Sequence, residues 1–286
     1  MSFDTLGLTA ALQSAVADMG LYAPTPIQAQ AIAPALQGRD LWATAPTGSG
    51  KTLAFALPLV QQHVLHPRQT NFRRPVRSLV LVPTRELAVQ VGDVLTHLGY
   101  PLKLKVAVVY GGVSINPQMM GLRGGADIVV ATPGRLLDLV DHNALHLGDV
   151  QQLVLDEADR LLDLGFADEL QRVLALLPAQ RQTLLFSATY AEPVQALAQG
   201  LLHDPVRVTV EAVAAQAPDI RQRAIAVDEK KRTALLRHLM AEQGWKRVLV
   251  FVATRYACEH VANKLYKAGV YATAFHGEMS QGARQQ

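Results

Sequence analysis

The sequence predicts an α/β protein built on a parallel sheet, and three observations carry that expectation. Short runs rich in Val, Ile and Leu recur at Ser78–Val82, Val106–Tyr110, Ile128–Ala131, Leu153–Asp156 and Thr183–Phe186. Stretches with helical spacing lie between them, at Glu86–Leu98, Arg135–Val140 and Phe166–Leu177. Half of the 286 residues are hydrophobic and only 18% are charged, which suffices for a sizeable packed core. Apolar strands alternating with helices imply right-handed crossovers and a sheet covered on both faces. In such sheets ligands gather at the carboxyl ends of the strands.

The first strand–helix junction is the most informative. The apolar run Asp40–Thr44 leads into Ala45-Pro46-Thr47-Gly48-Ser49-Gly50-Lys51-Thr52, and Leu53–Leu57 continues as a helix. Small residues let consecutive backbone N–H groups curl toward phosphate oxygens, and the positive end of the next helix adds to the attraction. Lys51 supplies a point charge for the β- and γ-phosphates, and the Thr52 hydroxyl a ligand for Mg²⁺. The general P-loop pattern has glycine where this chain has Ala45. The segment therefore reads as a nucleoside-triphosphate site, with residues 45–52 as its ATP-binding loop.

A second junction ends the strand Leu153–Asp156 in the carboxylates Asp156 and Glu157, followed by Ala158 and Asp159. Adjacent carboxylates at the end of an apolar strand are costly unless they serve a cation or a reaction. Asp156 suits a metal ion, and Glu157 suits the orientation of an attacking water. Taken alone, both are equally well read as helix N-terminal charges favoured by the dipole. The loop at 45–52 tips the balance toward Lys51, Asp156 and Glu157 as catalytic residues, with Thr52 and Asp156 on the metal.

Asp156-Glu157-Ala158-Asp159 spells the name of the DEAD-box RNA helicases, and the chain resembles that family in the order of further motifs. Gly20-Leu21-Tyr22-Ala23-Pro24-Thr25-Pro26-Ile27-Gln28, with Phe3 upstream, is similar to its adenine-reading Q motif. Gln28 would pair with the adenine edge, because an amide both donates and accepts. Pro46 stands where many relatives have glutamine, and Leu21 where many have an aromatic residue. Pro83-Thr84-Arg85-Glu86-Leu87-Ala88, Gly111-Gly112 and Thr132-Pro133-Gly134-Arg135 resemble the family's RNA-backbone motifs, each just after an expected strand. The resemblance implies RNA contacts for Arg85, Gly111, Gly112, Thr132, Gly134 and Arg135. Ser187-Ala188-Thr189 resembles the segment that couples hydrolysis to unwinding, which implies that the hydroxyls of Ser187 and Thr189 bridge the Asp156–Asp159 carboxylates to the second domain.

Beyond the first sheet, Glu211–Asp219 has little periodicity and contains Pro218, which marks a linker. The expected division is a first domain over 1–208, a linker over 209–219 and a second domain over 220–286. In the second part the alternation restarts, with strands at Gln222–Val227, Val248–Val252 and Tyr271–Phe275. Helices are expected at Lys230–Met240 and Tyr256–Ala268. Val250-Phe251-Val252-Ala253-Thr254-Arg255 and the stretch His276–Arg284 resemble second-domain motifs, and the latter implies RNA contact for Gln281 and Arg284. The resemblance thus implies two RecA-like domains, the second incomplete at Gln286 and without the family's arginine-finger segment. On that expectation the chain binds ATP and Mg²⁺ but hydrolyses ATP poorly, since an arginine finger is worth roughly 10³–10⁵ in related enzymes. The implied activity of the parent is ATP-dependent unwinding of short RNA duplexes, largely independent of RNA sequence. An ATP-gated RNA clamp or scaffold and a DNA-directed motor are the alternatives.

Composition narrows the classes further. Residues 1–207 hold 15 basic against 17 acidic side chains, and residues 208–286 hold 12 against 7, which is compatible with a polyanion. The single cysteine, Cys258, excludes an internal disulfide, reads as a small core residue and fits a reducing cytoplasm. His63 and His66 lack a supporting cluster and are not read as a zinc site. No secretory signal or membrane-spanning run is visible, so no membrane partner is expected. No acceptor site for a metabolic kinase is recognisable.

Overall fold

The computed structural model describes residues 2–67, 74–211 and 220–285. Most of the expected linker, from 212 to 219, lies outside them. The chain divides into two compact units, Met1–Val213 and Ala214–Gln286.

The first unit begins with a short 3₁₀ turn at Phe3–Leu6, then α1 (Ala10–Asp18) and α2 (Pro26–Leu36). Strands and helices then alternate as β1 (Leu41–Thr44), α3 (Lys51–Leu65), β2 (Ser78–Leu81), α4 (Arg85–Gly99), β3 (Val106–Val109) and α5 (Ile115–Leu122). The order continues with β4 (Ile128–Ala131), α6 (Pro133–Asp141), β5 (Gln152–Leu155), α7 (Ala158–Asp163) and α8 (Ala167–Ala175). It closes with β6 (Gln182–Ser187), α9 (Glu192–Leu201) and β7 (Val206–Thr209). The seven strands form one sheet in the order β3-β4-β2-β5-β6-β1-β7, and every pairing is parallel.

Alternate residues of the strands β1–β6 feed two separate cores. Leu41, Ala43, Val80, Val130, Val154, Leu184 and Phe186 pack under α1–α4. Trp42, Leu79, Leu81, Val129, Leu153, Leu155 and Leu185 pack on the opposite face under α5–α9. Both faces are therefore dry, and the strands read as unbroken apolar runs rather than alternating ones. This is the RecA-like α/β arrangement. It puts the ends of β1, β2, β3, β4, β5 and β6 on one edge, where every candidate site residue of this unit except Gln28 follows a strand.

β7 was not anticipated. It is an edge strand whose Arg207 and Thr209 face solvent, so it carries too little apolar signal to stand out, and it extends one residue into the expected linker.

The opposite edge is braced by side chains. Arg77 can only donate, so the 2.6 Å contact to His63 Nδ1 makes that nitrogen an acceptor and leaves the proton on Nε2. His63 Nε2 then donates to Ser78 Oγ (2.9 Å), Ser78 Oγ to Gln152 Oε1 (2.9 Å), and Gln152 Nε2 to Gln182 Oε1 (3.2 Å). Gln182 Nε2 finishes the chain on the carbonyls of Ala35 and Arg39, both at 2.8 Å. Burial, and then the Arg77 charge, push the His63 pKa down to about 4. Because the folded value lies below the ordinary 6.5, acid charges the unfolded chain first. The stabilisation is complete above pH 6.5 and drains away as pH falls toward 4, by up to about 3 kcal/mol. Urea unfolding midpoints across that window are expected to fall more steeply for the native protein than for His63→Gln. Equal slopes would show that His63 charges freely in the folded state.

In the second unit the expected helices form as α10 (Arg232–Gln243) and α11 (Arg255–Lys267), followed by α12 (Gln281–Gln285). The expected strands at 222–227, 248–252 and 271–275 do not form, and no strand occurs among the described residues of this unit. Helices satisfy their backbone internally, whereas a strand needs a neighbour, and none of these segments pairs with another. Leu249 and Phe251 accordingly stand 79% and 88% exposed. Cys258 also departs from the core placement expected for it. It is half-buried on α11, with its thiol 3.5 Å from the Phe275 carbonyl.

Candidate active site

The 45–52 loop, expected to bind nucleotide, starts where β1 stops, and Ala45 N donates to Ser187 O at 3.1 Å, tying the loop to the end of β6. Gly48 and Gly50 adopt φ of +76° and +95°, a region that favours glycine and reverses the chain into α3. Lys51 opens α3 yet is 93% buried, its exposure being 7%. Its ammonium donates to Ala45 O at 2.8 Å and Pro46 O at 3.4 Å, so the loop curls around its own lysine. The Ser49 hydroxyl is buried and, among the described residues, has no hydrogen-bond partner. An orphaned hydroxyl inside a glycine-bent loop fits a loop built to receive an anion. Thr52 follows on the first turn of α3, half-buried.

Gln28 sits against this loop from α2. Its Nε2 donates to Gly50 O at 3.0 Å and its Oε1 accepts from Thr25 N at 2.9 Å. A Cβ on Gly50 would come within 2.5 Å of that amide. The side chain expected to read adenine is thus only 3% exposed and here secures the loop. Phe3 is buried in the α1–α4 core, Leu21 is 36% exposed and Tyr22 is 78% exposed.

The acidic segment lies two strands away, at the end of β5. Asp156 is 3% exposed, and its Oδ1 accepts from the Glu157 N–H at 3.0 Å. Burial pushes its pKa up to about 6, opposed by the charge of Lys51 and aided by that of Glu157. Lys51 is thus the strongest positive charge acting on Asp156, although its ammonium hydrogen-bonds to the loop carbonyls. Glu157 has φ 51° and ψ 51°, the left-handed region, at a cost of about 1–2 kcal/mol for a residue with a Cβ. Such strain is kept where a side chain must be aimed, and Glu157 lies 3.5 Å from Arg160.

Asp159 reaches the Ser187–Thr189 loop, though not in the way the sequence suggests. Its Oδ2 accepts from the Ala188 backbone N–H at 3.2 Å. The Ser187 hydroxyl instead donates to Thr189 O at 2.9 Å and accepts from Thr189 N at 3.2 Å. The Ser187 hydroxyl thus shapes its own turn, while a backbone N–H meets the Asp159 carboxylate.

The expected RNA-facing residues of the first unit converge at the ends of β2, β3 and β4. Thr84 caps α4, accepting from Leu87 N at 3.2 Å, and Arg85 follows it. Gly112 has φ +77°, a conformation that favours glycine, and lies against the Arg85 guanidinium. Gly111 N donates to Thr132 Oγ1 at 3.4 Å, joining two of the segments. Gly134 has open space where a side chain would be. Arg135 is 8% exposed and donates to Val113 O at 2.7 Å, so it braces the Gly111–Val113 turn rather than presenting a free guanidinium. In the second unit, Arg284 lies over the Phe275 ring, 5.1 Å from its centre, and Gln281 begins α12.

The sequence profile of the DEAD/DEAH box helicases matches residues 25–197, more than half of the chain. This chain belongs to the DEAD/DEAH box helicase family. It is 38% identical over 283 residues to the DEAD-box ATP-dependent RNA helicase CshA of Bacillus cereus (strain ATCC 10987 / NRS 248), covering 99% of this chain and 53% of that protein. It is 37% identical over 284 residues to CshA of Geobacillus kaustophilus (strain HTA426), covering 59% of that protein. Identity is also 37% to the DEAD-box ATP-dependent RNA helicase RhpA of Helicobacter pylori (strain B128), of which 56% is covered. The chain spans about half the length of the curated relatives it matches. The DEAD/DEAH box match runs from the residue that caps α2 into α9, and so contains the nucleotide loop, the acidic segment and the Ser187–Thr189 loop.

Proposed function

We propose that the protein is an ATP-dependent RNA helicase in which residues 1–208 form the ATP-binding RecA-like domain and 220–286 belong to a second one. The observation that supports this reading is a buried lysine in the glycine-bent loop after β1 and a buried aspartate at the end of β5, close enough for the Lys51 charge to act on Asp156. Backbone amides of 45–52 and the Lys51 ammonium would hold the triphosphate, while Gln28 would meet the adenine after releasing Gly50. Mg²⁺, bound through Thr52 and Asp156, would neutralise charge on the β- and γ-phosphates. Glu157 would orient the attacking water and accept its proton. Asp159, through Ala188, would pass the state of the acidic segment to the Ser187–Thr189 loop.

Arg85, Gly111, Gly112, Thr132 and Gly134 would hold the RNA backbone, with Arg135 shaping the turn beneath it; Gln281 and Arg284 would add contacts from the second domain. Closure on ATP and release after hydrolysis would strain bound RNA and displace its partner strand. A cytoplasmic location accords with a single cysteine. No helix among the described residues is long and apolar enough to cross a membrane.

ATPase assays of the full-length protein with single-stranded RNA and with DNA of the same sequence test this reading. RNA is expected to stimulate turnover and DNA is not. Equal stimulation by DNA would favour a motor of different substrate class, and ATP-dependent RNA binding without turnover would favour a clamp.

A further inference from the structure

Three residues outside the site described above form one aromatic assembly. Trp42, on β1, stacks on Tyr190 with ring centres 4.8 Å apart and planes inclined by 12°. The Arg207 guanidinium, from the neighbouring position of β7, also lies over the Trp42 ring, 4.9 Å from its centre. Trp42 is 3% exposed, and among the described residues its indole N–H has no hydrogen-bond partner. The indole is thus buried on the α5–α9 face, with the Tyr190 ring and the Arg207 guanidinium against it.

Tyr190 comes directly after Thr189, while Trp42 lies three residues before Ala45. The two rings thus join the side chain that follows the Ser187–Thr189 loop to the strand that feeds the nucleotide loop. Two backbone ties act in parallel, Ala45 N to Ser187 O and Ala188 N to Asp159. Together they form a path from the 45–52 loop through β1, Trp42, Tyr190 and Ala188 to the acidic segment. The Tyr190 carbonyl, accepting from Gln195 Nε2 at 3.0 Å, anchors the same turn to α9.

We propose that Tyr190 is a positioning residue, whose stack on Trp42 transmits the occupancy of the nucleotide loop to the Ser187–Thr189 loop and so couples ATP to RNA. The inference rests on the helicase reading and adds to it a residue that touches neither ATP nor RNA. A stacked pair of this kind is worth about three- to tenfold in an equilibrium. Tyr190→Phe keeps both ring faces, whereas Tyr190→Ala removes one of them.

The test uses the full-length protein carrying Trp245→Phe and any further replacements needed to leave Trp42 as the only tryptophan. Its probes are a non-hydrolysable ATP analogue and single-stranded polyuridylate. Binding of the analogue, followed by calorimetry, is expected to change Trp42 emission in the Tyr190 and Tyr190→Phe proteins but not in Tyr190→Ala. RNA-stimulated kcat is expected to fall about three- to tenfold in Tyr190→Ala and to be restored in Tyr190→Phe, with thermal melting showing that all three fold. Emission that ignores a bound analogue, or Tyr190→Ala turnover equal to native, overturns the coupling role while leaving the nucleotide site intact. Equal loss in Tyr190→Phe overturns it too, since the hydroxyl and not the stack would then matter. An analogue that calorimetry finds unbound overturns the helicase reading, and this inference with it.

Discussion

Glu157→Gln in the full-length protein is expected to lower ATP turnover by at least about a hundredfold while leaving nucleotide affinity nearly unchanged. The amide has the size and reach of the carboxylate but cannot take a proton from water. Its neighbour Asp156 keeps the buried place and the Lys51 charge opposite it, so the phosphate side of the site should be undisturbed. Steady-state turnover together with calorimetric binding of an ATP analogue separates the two effects. Turnover that drops less than tenfold would remove Glu157 from the chemical step. A matching loss of affinity would instead assign it to ground-state binding.

Lys51→Ala is expected to be damaging in a different way. Lys51 is buried, wrapped by the carbonyls of Ala45 and Pro46, and supplies the leading charge opposing protonation of Asp156. Its removal takes away the cation for the phosphates and leaves Asp156 in a dry site without its counter-charge. A loss of about 10²–10³ in turnover is expected, as for the loss of one preorganised donor to developing charge. Weaker analogue binding should accompany it, in contrast to Glu157→Gln. Native affinity in Lys51→Ala would mean that the loop amides alone hold the triphosphate and that the lysine serves only the fold.

The parallel sheet was legible because β2, β4, β5 and β6 are buried on both faces and so are written as unbroken apolar runs. β7 escaped notice since only Val208 of its four residues is buried, as befits an edge. The strands expected after residue 220 show the converse: an apolar run encodes a wish for burial, and pairing depends on what lies beside it. At the site, the residue types at 45–52 and 156–159 point to the chemistry proposed, because charge and small size have few other uses at strand ends. Their second-order arrangement could not be read. Nothing in the sequence says that Gln28 would hold Gly50, that Arg135 would turn inward to Val113, or that a backbone N–H rather than a hydroxyl would meet Asp159. Those choices are made by geometry between segments far apart in the chain. The Trp42–Tyr190 stack was missed for the same reason, since 148 residues separate its partners.

The chain of amides and hydroxyls running from Arg77 through His63, Ser78, Gln152 and Gln182 has a mechanical consequence. It stitches β2, β5 and β6 to the helices α2 and α3 at the end of the sheet remote from the 45–52 loop. That foot binds three strands and two helices into one piece through side chains, and leaves the loops at the opposite ends of the strands outside the brace.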